Sequence, residues 1–245
     1  QAEDGIRDCL LSRGLGDVYK RQLINKPESV IFLEVDDNSI SKRLKDIKEL
    51  ALEKKIKIKI KKFKNPKIKI NLTFKPSEPK NIEYLEKILE TKEDIIILLL
   101  DHITDPNNLG SILRTSLGGL VDAVVVPKSR ACHLTKSVRE VSKGSSELVP
   151  FVIVPNLKRI TEMLKLRGFL IYGAESSEQS KSIYDTDFSK KVGLIVGSEN
   201  TGIQETLKSK CDKMIKIPIS DKLESLNAAI ATSVIVFEIN RQRIN

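Results

Sequence analysis

The chain reads as an α/β protein built on a parallel sheet, with a smaller α/β unit ahead of it. Three observations carry that expectation. From residue 95 onward, short continuous apolar runs such as Ile95 to Leu100 and Val192 to Val196 alternate with helix-period segments. That is the mark of strands covered on both faces by crossover helices. Earlier in the chain, Ile56, Ile58 and Ile60 alternate with Lys57, Lys59 and Lys61, the period of two of a half-buried strand. Between the two regions, Lys75-Pro76-Ser77-Glu78-Pro79-Lys80 is polar, aperiodic and carries two prolines, so it reads as a linker.

Taken in order, residues 1–22 resemble translated sequencing-adapter sequence and contain no methionine. They are set apart as a non-native or disordered segment, a mobile arm or truncated helix being the plain alternative. Residues 23–75 form the small α/β unit. Val30 to Val35 is a buried-type strand, and Ser41 caps a helix to about Lys54 with Leu44, Ile47, Leu50 and Ala51 on one face. The Ile56 to Lys61 strand follows, then a second alternating strand through Ile68, Ile70, Leu72 and Phe74. Residues 76–94 are linker and helix, the helix spanning 81–92. Residues 95–245 are the larger domain. Strands are expected at 95–100, 121–126, 148–154, 169–173, 192–196 and 214–217, and helices near 108–118, 134–143, 156–167, from 203 and over 227–242. Residues 174–191, rich in Ser, Glu and Lys, read as a polar surface excursion.

Bulk properties narrow the function. Of 245 residues, 40% are hydrophobic and 31% charged, as in a globular protein. The net charge is +9 and the pI near 9.3. A polyanionic partner such as RNA fits that balance, and so does a merely lysine-rich composition. No apolar run approaches the ~20 residues of a membrane-spanning helix, so no membrane partner is expected. The N-terminal residues lack the basic-then-apolar order of a secretory signal. Cys9, Cys132 and Cys211 are far apart, and His102 and His133 are the only histidines. A metal site is therefore not expected, and unpaired cysteines suit the reducing cytoplasm. The Rossmann glycine fingerprint, the P-loop and the Gly-x-Ser-x-Gly elbow are all absent.

What remains is three polar loops, each after a strand, which in an α/β domain can converge on one pocket. The first is Asp105-Pro106-Asn107-Asn108-Leu109-Gly110 with Arg114 further along the helix. Asn107 or Asn108 reads locally as an N-cap, and Arg114 as either a surface ion pair or a substrate-facing cation. The second is Gly197-Ser198-Glu199-Asn200-Thr201-Gly202, where ligand can approach main chain. The third runs from Ile217-Pro218 to Ser225-Leu226-Asn227, where a loop becomes a helix and backbone N–H groups are free. Ser225 reads locally as the N-cap of that helix and Asn227 as a first-turn residue.

Together the three loops closely resemble the SpoU (TrmH-type) branch of the knotted SPOUT RNA methyltransferases. Its Asn-x-Gly-x-x-x-Arg stands at Asn108 to Arg114, its Gly-x-Glu-x-x-Gly at Gly197 to Gly202, and its Ile-Pro with Ser-Leu-Asn at Ile217-Pro218 and Ser225-Leu226-Asn227. Within that branch the chain looks most like the bacterial 23S rRNA guanosine 2′-O-methyltransferases. Val125-Val126-Pro127-Lys128-Ser129-Arg130 and Ser142-Lys143-Gly144, with Glu147 and Pro150, support the subgroup. One departure is the stretch Ile70-Asn71-Leu72-Thr73-Phe74, where that subgroup usually carries His-Gln-Gly.

The resemblance implies a parallel-sheet domain with a C-terminal trefoil knot, S-adenosylmethionine as cofactor, no metal, and a homodimer. It implies methyl transfer to a ribose 2′-hydroxyl of RNA, a guanosine of 23S rRNA by subgroup. The alternatives are a tRNA methyltransferase of the same family and a non-catalytic RNA-binding protein. By the same analogy Arg114 takes the hydroxyl proton, electrostatic positioning of the alkoxide being an equally physical role for it, while Asn108, Glu199, Ser225 and Asn227 orient it and the ribose. Gly197, Gly202, Ile217, Leu226 and Asn227 are expected to hold the cofactor. Residues 23–75 correspond to an RNA-binding domain. Lys57, Lys59 and Lys61, with Lys128 and Arg130 in the larger domain, are the candidate RNA contacts. The lysine row also suits an edge strand protected against aggregation. On the last helix, Ile230, Val234 and Phe237 form one stripe, either dimer face or ordinary core.

Overall fold

The computed structural model describes residues 6–7, 15–36, 41–64, 69–199 and 201–244. Ile68, Asn200 and most of the set-apart segment before residue 15 lie outside them. The chain divides into two units, Gln1–Glu78 and Pro79–Asn245. The division falls inside the proline-bearing stretch expected to be a linker.

In the first unit the elements run β1 (Ile6–Arg7), α1 (Leu15–Asn25), β2 (Val30–Val35), α2 (Lys42–Glu53), β3 (Ile58–Ile60) and β4 (Ile70–Phe74). The sheet order is β1-β4-β2-β3. Strands β2 and β3 are parallel, joined through α2, and β4 runs antiparallel to β2. The Ser41 hydroxyl accepts from the Leu44 N–H and starts α2 as expected. Leu44, Ile47 and Ala51 then face a core that also holds Leu33, Val35, Leu72 and Phe74. The expectation for residues 1–22 is corrected over its last part: residues 15–22 are helical, and Tyr19 is fully buried in that core together with Leu23. An aromatic ring and a leucine one turn apart give this short helix an apolar stripe that the sheet can cover.

The lysine strand is also corrected. Ile56 and Ile58 pack partly against the core, but Ile60 is 70% exposed, so the buried face ends one residue early. The strand β3 lies at the sheet edge. Its lysines are engaged within the unit: Lys59 Nζ sits 3.5 Å from the centroid of the Phe32 ring, and Lys61 Nζ lies 2.7 Å from the buried Glu34 carboxylate.

The second unit contains α3 (Ile82–Leu89), β5 (Ile95–Asp101), α4 (Pro106–Gly118), β6 (Ala123–Pro127), α5 (Lys136–Ser142), β7 (Phe151–Val154), α6 (Leu157–Leu166), β8 (Leu170–Ala174), β9 (Lys181–Ser182), β10 (Lys191–Gly197), α7 (Glu205–Lys208), β11 (Lys213–Lys216) and α8 (Ala228–Ile244). Its seven strands are all parallel, in the order β7-β6-β5-β10-β8-β11-β9. The continuous apolar run of β5 is explained by its interior place, between β6 and β10. Ile96, Leu98 and Leu100 join one core cluster with α4 and α8, while Ile95, Ile97 and Leu99 join another with α3 and α6. Both faces of the sheet are thus covered, as a parallel sheet requires.

Two details differ from the sequence reading. The excursion at 174–191 is not wholly on the surface: β9 pairs with β11, and Ile183 is fully buried. The helix expected from residue 203 shortens to Glu205–Lys208. The chain direction changes sides between β7 and β8, and β10 inserts between β5 and β8. The carboxyl ends of β8, β10 and β11 therefore open onto one crevice, where open α/β sheets bind ligands.

Candidate active site

At that crevice three side chains from distant parts of the chain meet. Asn108 comes from the first turn of α4, Glu199 from the loop after β10, and Asn227 from the start of α8. Asn227 Nδ2 donates to Asn108 Oδ1 at 2.8 Å and also to Glu199 Oε1, and Asn108 Nδ2 donates to the same Glu199 oxygen at 3.3 Å. The Ala228 N–H donates to that oxygen as well, at 3.3 Å. The carboxylate thus sits at the N-terminal end of a long helix, where free N–H groups and the helix dipole favour negative charge.

The local capping differs from the sequence reading in an informative way. Asp105 caps α4, its carboxylate accepting from the Asn107 N–H at 3.0 Å. Asn108 is therefore not needed as a cap and turns to Glu199 and Asn227. Asn227, rather than Ser225, caps α8: its Oδ1 accepts from the N–H groups of Ala229 and Ile230 at 3.0 and 3.2 Å. One amide side chain starts the helix with its oxygen and binds the other two polar groups with its nitrogen.

Beside the trio lies a cavity of about 230 Å³. The structure brings Gly197, Gly202, Ile217 and Leu226 to its wall, together with Glu199 and Ser225. Asn227 is not part of the lining, although Leu226 and Ala228 on either side of it are. Ala174, Glu175 and Ser176 also line it, a contribution from the end of β8 that the sequence reading missed. An apolar strand followed by a polar loop was the only signal there, and it is shared by many inert turns. Gly197 is required by close approach: a Cβ at that position would stand 2.1 Å from the Gly202 carbonyl carbon. The loop 197–202 folds back on itself there, the Gly202 N–H donating to the Ser198 carbonyl at 2.9 Å.

The cavity has an apolar floor, made by Val196, Ile215, Ile217 and Ile235, and a polar rim holding Glu175, Glu199 and Ser225. A heteroaromatic base fits such a floor, and carboxylates at the rim suit a cationic centre and sugar hydroxyls. These residues fit S-adenosylmethionine. No cluster of three or more His, Cys, Asp or Glu side chains suited to a metal exists among the described residues.

Arg114 lies on α4 six residues beyond Asn108. It is exposed and has no hydrogen-bond or ion-pair partner among the described residues, so the surface ion-pair reading is not supported. It does not line the cavity. The helix that carries it is fixed against α8 by a hydrogen bond between the Thr115 and Ser233 hydroxyls, 2.6 Å apart. Lys128 and Arg130 are exposed just beyond the end of β6, at the same edge of the sheet.

Residues 95–237 match the SpoU rRNA Methylase family. The chain is 39% identical over 169 residues to the 23S rRNA (guanosine-2′-O-)-methyltransferase RlmB of Pseudomonas aeruginosa, covering 69% of this chain and 68% of that one. It is 35% identical over 171 residues to RlmB of Acinetobacter baylyi, covering 69% of each. Among solved structures it resembles the SpoU methyltransferase AviRb from Streptomyces viridochromogenes in complex with AdoMet, with a TM-score of 0.71 and 24% identity. That superposition covers 93% of this chain and 88% of AviRb. The TrmH/SpoU tRNA modifying enzyme of A. aeolicus superposes with a TM-score of 0.57 at 27% identity, over 66% of this chain and 82% of that one.

Proposed function

The chain belongs to the SpoU rRNA methylase family, and from that membership we infer that it transfers a methyl group from S-adenosylmethionine to a ribose 2′-hydroxyl of ribosomal RNA. The subgroup of its relatives points to a guanosine of 23S rRNA. The observation that carries the reading is the joining of Asn108, Glu199 and Asn227 beside a cavity that fits the cofactor, with Arg114, which has no partner among the described residues, on the same helix as Asn108.

The cofactor supplies an electrophilic methyl group on a sulfonium. The protein must orient a poor nucleophile beside it and manage one proton. Gly197, Gly202, Ile217 and Leu226 hold the cofactor, largely through main chain and apolar contact. Glu199, itself held by Asn108, Asn227 and the Ala228 N–H, presents a fixed carboxylate to the ribose side, and Ser225 adds a hydroxyl at the rim. Arg114 is the group for the 2′-oxygen. Guanidinium is a weak base, its pKa above ~12, so the physical role we favour is stabilising the developing alkoxide and the neighbouring phosphate. In that role the proton leaves to solvent.

We read the protein as a homodimer joined through α8. Ile230 and Phe237 on that helix are 54% and 52% exposed, which removes the ordinary-core reading for both. The first unit is read as the RNA-binding domain, with a basic edge strand, and the family trefoil knot as the frame of the cofactor loops. A substrate in ribosomal RNA supports action in the cytoplasm, and no helix among the described residues is long and apolar enough to cross a membrane.

Calorimetric titration with S-adenosylmethionine should give binding that EDTA does not change. Ribose-methylation mapping of 23S rRNA from cells with and without the gene should lose one guanosine signal. An unchanged map would remove the rRNA assignment.

A further inference from the structure

The sheet edge that carries the cofactor cavity carries a second opening, at the carboxyl ends of β5, β6 and β7. It is an open cleft of about 400 Å³, a size that ligand sites commonly have. The segment after β10 separates the two: Gly197, Ser198, Glu199 and Gly202 line the cofactor cavity, and Gln204, Thr206 and Leu207 line the cleft. We propose that this cleft binds a single-stranded RNA nucleotide flanking the one that is methylated, its phosphate on Arg130 and Lys158 and its base among His102, Gln204 and two proline rings. The proposal deepens the reading given above and rests on it.

The charges at the cleft are arranged for an anion. Arg130 and Lys158 are exposed and make no ion pair within 4 Å among the described residues, Lys158 acting only at longer range on Glu162, which Lys210 already pairs. The carboxylate at its base, Asp101, is fully buried and already engaged. It accepts from His102 Nδ1 at 2.6 Å and from the Gln204 N–H at 2.8 Å. Neither bond leaves the cleft a free negative group at that point.

The same bonds orient the polar groups that a base would meet. His102 turns Nδ1 to Asp101 and places Nε2 3.4 Å from Gln204 Nε2. Imidazole and amide together offer both an acceptor and donors, the chemistry needed for a base edge. Pro127 and Pro155 supply flat apolar surface on the walls. His102 and Arg130 both hold left-handed backbone conformations, with φ of 59° and 55°. Such residues cost free energy wherever they occur and cluster at ligand sites. An unstacked nucleotide gripped by phosphate and base edge is how single-stranded RNA is read.

The test uses the full chain and a short fluorescein-labelled single-stranded oligoribonucleotide, followed by fluorescence anisotropy across a salt series. The double variant Arg130→Gln with Lys158→Gln should bind the oligonucleotide roughly tenfold more weakly and lower the log–log salt slope by about 1.4, or about 0.7 per lost phosphate contact. Its affinity for S-adenosylmethionine should stay within twofold, since both side chains are exposed and outside the cofactor cavity. An unchanged slope with unchanged affinity for RNA would overturn the proposal.

A second measurement needs no variant. With 4-thiouridine in the oligonucleotide, cross-linked peptides from the wild-type protein should include residues 127–130, 155–158 or 204–207. Cross-links confined to other segments would overturn the proposal. Neither readout requires turnover. If the wild type binds RNA through the cleft but methylates no ribose, the methyltransferase reading fails while the cleft stands. If it methylates with the cleft variant unaltered, the reverse holds.

Discussion

At the residue scale the site turns on side chains whose local duty and site duty coincide or compete. Asn108 could be read from sequence as a cap; Asp105 takes that duty and leaves Asn108 to Glu199 and Asn227. The family resemblance singled out the three residues, whereas spacing alone left Asn108 a plain cap and Asn227 a first-turn residue. It could not say which amide caps which helix, since that depends on the entry angle of each chain segment. Arg114→Ala should lower kcat by at least about 100-fold, the size of a lost electrostatic stabiliser, and leave cofactor affinity within a few fold. A radiolabel transfer assay with paired calorimetry checks both halves, and near-wild-type turnover would remove Arg114 from the chemistry. Glu199→Gln keeps the shape of the trio but removes its charge at the start of α8. It should reduce turnover while the circular-dichroism signal of the protein stays unchanged. Cys211 offers a pH check: burial, reinforced by Asp212, pushes its thiol up to about 12. Alkylation by iodoacetamide at pH 8 should therefore be far slower than for a free thiol.

At the scale of elements, the strand and helix pattern was legible where burial is two-sided or strictly amphipathic. β5 and β10 read as continuous apolar runs because helices cover both faces of the sheet, and α2 read from its cap and stripe. Strand β3 was legible as a strand, and its lysine row already suited an edge, where the structure places it; the early end of its buried face was not legible, because pairing partners are non-local. As an edge it exposes Ile60 and turns Lys59 and Lys61 to Phe32 and Glu34. Replacing Lys57, Lys59 and Lys61 with glutamine should therefore have two effects. Thermal stability should fall modestly, since Glu34 loses a partner. If the row also meets RNA, the salt slope of binding should drop by roughly 0.7 to 0.9 per lost contact. An unaltered slope would leave the row with its intramolecular role alone. On α4, the Gly110 position leaves no room for a methyl: a Cβ would stand 2.6 Å from the side chain of Val141. Gly110→Ala should cost about 1–3 kcal/mol through overpacking, less whatever helix propensity returns. Because Asn108 is two residues away, the variant should also lose activity beyond its loss of stability.

At the scale of the whole molecule, the sequence foresaw the parallel sheet of the second unit. It misplaced the start of the first unit, because Tyr19 and Leu23 reveal their purpose only against the sheet they cover. It also could not foresee strand order, which decides that β8, β10 and β11 end together. Ile230→Glu with Phe237→Glu should convert a dimer to a monomer in analytical ultracentrifugation. A dimer that survives both charges would place the interface elsewhere. The order in which the trio appears along the chain has a consequence in time. Asn108 and Glu199 leave the ribosome well before Asn227, and the last helix cannot be capped until that amide has emerged. The carboxylate then gains its remaining donors in the same event that closes the helix onto α4. A chain stopped before residue 227 should carry all seven strands of the larger sheet but leave the Glu199 carboxylate without its Asn227 and Ala228 donors. On the reading proposed above, methyl transfer by the growing chain should therefore wait until α8 docks, which a radiolabel transfer assay on ribosome-bound chains would check.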